Sequence, residues 1–264
     1  MFRRLPTLAL GALLLASTPL LAAQPVTTLT VLSSGGIMGA IREVAPAYEK
    51  ATGVKLDIAA APSMGDTPQA IPQRLARNEP ADVVLMVGSA LDKLVANGQA
   101  LKDSRVDLGQ SFIALAVRKG APKPDISTMD AFKQSLENAQ SVAYSDSASG
   151  VYLSHILFPR MQLSDAFKAK ARMIPAEPVG EVVARGDAQL GFQQLSELKP
   201  VQGIDIVGPL PNELQKITIF SAGIATVSKE PDAGRALIKF LASPAARDTI
   251  IASGMEPIPA GGAN

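Results

Sequence analysis

The chain has 264 residues, with 25 Lys and Arg against 24 Asp and Glu, 47% hydrophobic and 4% aromatic residues, one His, no Cys and no Trp. That balance offers no basic patch for nucleic acid or an anionic membrane surface, and without Cys the fold rests on a core and not on disulfides. A transition-metal site would have little but carboxylates to draw on, and the lack of Trp argues against sugar binding by ring stacking.

The first residues run basic, apolar, small: Met1-Phe2-Arg3-Arg4, then Leu8 to Leu15, then Leu21-Ala22-Ala23-Gln24. This order predicts a cleaved secretory leader over residues 1–23, whose apolar part is too short for a permanent anchor, and hence a periplasmic product. Thr28 to Ser33 is a β-branched run ending in Ser33-Ser34-Gly35-Gly36, after which Ile37, Ala40, Ile41, Val44, Ala45 and Tyr48 recur at helical spacing. Gly53 ends that helix and Val54 to Ala59 resumes as a strand. The loop 61–68 leads to a helix through Ile71 and Leu75, then to a buried strand at Ala81 to Met86, and the alternation repeats from Leu91. Strand, helix, strand in succession predicts a mostly parallel sheet with crossover helices.

A polar stretch from Leu101 to Ser111 changes the pattern and leads into the apolar strand Phe112 to Val117, read as the first crossing into a second lobe. That lobe contains a helix at Met129 to Glu137, a strand at Ser141 to Tyr144, the loop Ser145 to Gly150, a helix from Val151, and strands at Gly191 to Gln194 and Ile204 to Val207. The chain returns through Pro209 to Lys216 into the strand Ile217 to Phe220, and the helix Asp232 to Leu241 with Pro244 to Ser253 packs on the first lobe. The expectation is a two-lobed α/β protein: lobe 1 from residues 24–108 and 217–264, lobe 2 from 109–216, each a mixed, mostly parallel sheet flanked by helices, with the ligand cleft between them.

Three loops share one design, a strand delivering a Ser- and Gly-rich turn into a helix N-terminus. They carry Ser33, Ser34 and Gly35; Ser63, Gly65 and Thr67; and Ser147, Ser149 and Gly150. Each alone reads as an ordinary helix cap. Three together, at the carboxyl ends of strands in two lobes, point to an anion held by free N–H groups and hydroxyls.

The pieces Thr30-Val31-Leu32-Ser33-Ser34-Gly35, Arg77-Asn78-Glu79-Pro80-Ala81-Asp82-Val83, Ala148-Ser149-Gly150-Val151-Tyr152 and Gln189-Leu190-Gly191-Phe192 resemble the molybdate-binding branch of the periplasmic solute-binding proteins. The resemblance covers nearly the whole mature chain and implies the type II periplasmic binding protein fold. By position it implies ligand contacts at Ser33 or Ser34, at Ser63 or the following Met64, Gly65 and Asp66, at Ser149 and at Val179. The tyrosine of that family falls on Gln194, which points away from a tetrahedral metal oxyanion and toward a carboxylate.

Val31 to Gly39, Ala61 to Asp66 and Tyr144 to Tyr152 resemble more closely the aconitate isomerases that pseudomonads build on this scaffold. That resemblance implies interconversion of trans- and cis-aconitate by a 1,3 proton shift, which needs a base, an acid and dipoles for the carboxylates, but in principle neither metal nor organic cofactor. The titratable groups on or near the loops are Tyr144, Tyr152, His155, Asp66, Asp146 and Glu177, of which Tyr144, Tyr152 and His155 are the catalytic candidates. A carboxylate beside a trianion would have a raised pKa, but would also repel the ligand. His155, one turn beyond Val151, faces the loop or packs against the next element, and Arg160 and Arg185 either pair with carboxylates or sit on the surface. The alternative is a receptor that passes an oxyanion or organic acid to an ABC permease. Neither reading calls for nucleic acid or a membrane anchor.

Overall fold

A computed structural model describes residues 27–175 and 177–258; the leader expected at 1–23 lies outside them. The chain supplies β1 (Thr28–Ser33), α1 (Gly35–Thr52), β2 (Lys55–Ala60), α2 (Ile71–Ala76), β3 (Val83–Val87), α3 (Gly88–Ala96) and β4 (Val106–Ser111). It continues with β5 (Ile113–Arg118), α4 (Met129–Asn138), β6 (Val142–Ser145) and α5 (Ala148–Tyr152), which runs through a π turn at Leu153–Leu157 into α6 (Phe158–Arg160). Then come α7 (Asp165–Lys170), β7 (Ala171–Ile174), α8 (Val179–Arg185), β8 (Leu190–Gln194), α9 (Leu195–Leu198) and β9 (Ile204–Pro209), before β10 (Thr218–Ile224), α10 (Pro231–Leu241) and α11 (Pro244–Ala252).

Two five-stranded sheets result, ordered β2-β1-β3-β10-β4 and β7-β6-β8-β5-β9. They repeat one plan. Three strands pair in parallel, and the fourth position is antiparallel to both its neighbours. Four of the five strands in each sheet therefore share a direction, as expected, although half of the pairings are antiparallel. The reversed strand is in each case the one entered from the other sheet: β5 follows β4 across Phe112, and β10 follows β9 through residues 210–217.

Each lobe closes over its own apolar core. Leu32, Ile37, Met86, Leu91 and Phe220 are buried in the first, and Phe132, Leu157 and Phe192 in the second. The run Val83–Val87 is wholly buried because helices cover both faces of a parallel strand. On α1 the buried residues keep the helical spacing seen in the sequence, and Gly53, at φ 74°, stops the helix by returning its N–H to Glu49 O. Five elements went unread, α7 and α8 among them. β4 occupies part of the supposed polar connection, because Val106 and Leu108 alternate onto the first core while the strand pairs with β10. β7 is a four-residue edge strand with Arg172 and Met173 exposed, and α9 is too short for any helical period to show.

Candidate active site

The carboxyl ends of β1, β3, β6 and β8 each pass directly into a helix, and these turns surround one cavity of about 310 Å³ between the lobes. Its lining includes the N-cap residues of five helices: Ser34 for α1, Val87 for α3, Ser147 for α5, Pro178 for α8 and Gln194 for α9. None of these residues caps its helix with its side chain. On α4 and α7, away from the cavity, Thr128 and Ser164 do accept the expected N–H bond. The long helices α1 and α3 thus turn uncompensated first-turn N–H groups and a positive dipole end toward the cavity.

Side chains add to those donors. Ser34 Oγ is buried and has no partner among the described residues. Ser63 Oγ accepts the Val87 N–H at 3.0 Å, which leaves its own hydrogen to donate elsewhere. Ser145 Oγ sits 2.9 Å from both Ser147 Oγ and Ser149 Oγ. Gln194 Nε2 donates to Thr218 Oγ1 at 2.9 Å, joining the two lobes beside the cavity, while Gln194 Oε1 is buried and unpartnered. Turned over, the same amide keeps the Thr218 bond, with the hydroxyl as donor, and leaves Nε2 as the buried, unpartnered atom.

The lining holds three carboxylates, Asp146, Glu177 and Glu197, and no Lys, Arg or His among the described residues. Glu177 is tied to Arg185 at 2.6 Å. Glu197 differs. Val179 N–H donates to Gln193 Oε1 at 2.9 Å, which forces the Gln193 amide nitrogen to donate onward to Glu197 Oε1 at 3.0 Å. Burial pushes the Glu197 carboxyl up to about 7, against the bonds from Gln193 and the Gln194 N–H and helped by the nearby charge of Asp146. The group stands against the start of α1, and a Cβ at Gly35 would overlap its Oε1.

Of the residues named from the sequence, Ser34, Gly35, Ser63, Thr67, Asp146, Ser147, Glu177 and Gln194 line the cavity. Ser33 and Ser149 are buried behind it, and Gly150 allows the helix to approach Ser145 O more closely than a Cβ would permit. Met64 packs against the first core, while Gly65 and Asp66 are exposed outside the lining. Val179 does not offer its N–H to the cavity, because Gln193 takes it.

The three catalytic candidates are not brought to the cavity. Tyr144 alternates away from Ser145 along β6 and stacks edge-on with Phe158 at 5.8 Å. Tyr152 donates its hydroxyl to Leu214 O at 3.0 Å. His155 lies exposed on the outer face of its helix, with Nδ1 3.2 Å from Val151 O. Arg160 donates to Glu213 O, and Arg185 spans Glu177 and Asp187. Glu197 was missed; its one signal is that a Glu three residues past the end of a strand reaches back to the N-cap N–H, half of a capping box. The arrangement can hold carboxylates by neutral donors and exchange a proton near neutral pH.

Residues 29–256 match the family described as bacterial extracellular solute-binding protein. A protein named aconitate isomerase from Pseudomonas sp is 80% identical over 260 residues, 98% of this chain and 99% of that one. Among solved structures, the periplasmic molybdate-binding protein of Azotobacter vinelandii superposes with a TM-score of 0.71 at 21% identity, covering 88% of this chain and 100% of that one. The sulfate-binding protein SubI from Mycobacterium tuberculosis gives 0.67 at 16% identity, covering 88% of each chain. At these identities the two structures share the fold alone.

Proposed function

Since this chain belongs to the bacterial extracellular solute-binding proteins, we propose that it is an aconitate isomerase on that scaffold, interconverting trans- and cis-aconitate by an allylic proton shift. The observation that carries this is the 80% identity, over almost the full length of both chains, to the protein of that name. Fold alone would favour a transport receptor. The cavity supports the chemistry: uncapped helix starts and the Ser34 hydroxyl suit carboxylates, and Glu197 offers a carboxyl that changes protonation near neutral pH.

The enzyme works in the periplasm after removal of residues 1–23. Lobe 1, residues 24–108 and 217–264, and lobe 2, residues 109–216, close on the tricarboxylate. Isomerisation requires one C–H bond to break and another to form two carbons away, while the double bond moves over. The negative charge that develops spreads into the carboxylates, where fixed N–H dipoles stabilise it. To test this, the purified chain lacking the leader is incubated with trans-aconitate and the appearance of cis-aconitate is followed. Turnover is expected. No turnover at any pH from about 6 to 9, the range where a tuned acid-base group works, with tight binding of molybdate or sulfate, would replace the isomerase by a receptor.

A further inference from the structure

We propose that Glu197 is the single acid-base group of the isomerisation, taking the proton from the methylene carbon of bound aconitate and returning it to the other end of the same allylic system. This rests on the isomerase reading above. In the first half, the C–H electron pair enters the allylic π system and is delocalised into the flanking carboxylates, and the proton becomes an O–H on Glu197. In the second half, that O–H bond breaks, a C–H bond forms at the far carbon and the double bond settles between the other two. Nothing is oxidised or reduced, and the carboxyl ends as it began.

Three observations support Glu197 over its neighbours. Its carboxyl is held at the cavity wall by a relay of hydrogen bonds, Val179 N–H to Gln193 and the Gln193 amide to Glu197 Oε1. The bare backbone of Gly35 lets the carboxyl stand beside the start of α1, where the substrate carboxylates find their N–H donors. The remaining charged lining groups are otherwise disposed: Glu177 is locked to Arg185 in the segment before α8, and Asp146, in the turn after β6, acts on Glu197 through its charge. From α1, β8 and β10 only uncharged residues reach the cavity. The two carbons lie two bonds apart on one substrate face, within reach of one carboxyl oxygen.

The test combines a variant with an isotope. Glu197→Gln keeps the acceptor for Gln193 and is expected to bind trans-aconitate within about threefold of the parent while turnover falls by a hundredfold or more, the scale of a lost acid-base group. In the parent, kcat/KM is expected to rise with pH through about 7, as a base that must be ionised requires. Run in D2O on protiated trans-aconitate, the parent is expected to form cis-aconitate that retains much of the original protium, because a buried carboxyl returns the proton it took. Glu197→Gln turnover near that of the parent, a flat pH profile, or full deuteration in the first turnover would each overturn the proposal. If the parent itself does not isomerise aconitate, the isomerase reading fails instead.

Discussion

The two walls of the cavity are built from the same strand-to-helix turns, yet they carry different chemistry. Among the described residues, the first lobe contributes Ser34, Gly35, Ser63, Thr67 and Val87, and no titratable side chain. The second contributes Ser145 and Ser147, but also Asp146, Glu177 and Glu197. Both walls offer neutral donors, and the second adds carboxylates. A receptor needs only the former. The grip shared by both lobes and the proton transfer proposed for the second alone are what the substitutions should separate.

The largest effect is expected where the walls meet. Gly35→Ala places a methyl against Glu197 Oε1 and displaces the end of that side chain, so turnover should drop about a hundredfold, the scale of a misplaced reacting group, while the fold survives. Steady-state kinetics beside circular dichroism checks both halves. Next comes the stability of Glu197→Gln. The native carboxyl is raised from 4.5 to about 7, so the folded state binds the proton more tightly; its stabilising contribution is complete below pH about 4.5 and is lost as pH rises through about 7. Glutamine does not titrate. The variant should therefore gain about 2 kcal/mol on the parent by pH 8, after allowing for partial solvation, and the gain should vanish near pH 4.5. Thermal melts across that range read it directly.

Smaller is Ser34→Ala, which removes an unpartnered buried hydroxyl from the donor wall. It should weaken trans-aconitate binding about tenfold, as for one hydrogen bond to a charged group, and leave the melting temperature unchanged or slightly raised. Calorimetry that finds parental affinity would remove Ser34 from the site. The smallest effects belong outside the cavity. His155→Ala and Tyr152→Phe should alter turnover less than about twofold, with Tyr152→Phe losing about 1 kcal/mol of stability from its bond to Leu214 O. A larger loss of turnover from either would mean that the working cavity extends beyond the turns described.

The contrast between the walls also marks where sequence reasoning stopped. A strand ending in Ser and Gly before an apolar periodic helix announces a donor turn from local order alone, which is why Ser34, Ser63 and Ser147 were legible. The direction of a side chain is not local. Tyr144 and Ser145 are neighbours, yet strand alternation sends one to the Phe158 ring and the other to the cavity. Tyr152 and His155 follow a Ser loop closely, but helix rotation and the π turn at Leu153–Leu157 turn them outward or onto the second core. Glu197 was hidden for the opposite reason. Four helical residues show no period, and the partners that define its chemistry, Gly35 and Asp146, are distant in the chain. The edge strands β4 and β7 escaped because half-exposed strands lack the continuous apolar run that disclosed β3.

The lack of any cation in the lining, among the described residues, has a consequence for ionic strength. Dipoles act over the first turn of a helix and no farther, whereas the charge of Asp146, and of Glu197 once ionised, meets an approaching tricarboxylate as repulsion. Such a cavity cannot draw its substrate from a distance as an Arg-lined cleft does. Added salt screens the repulsion and leaves the short-range donors intact. Association should then quicken with salt, the reverse of the slowing seen where cations steer an anion inward.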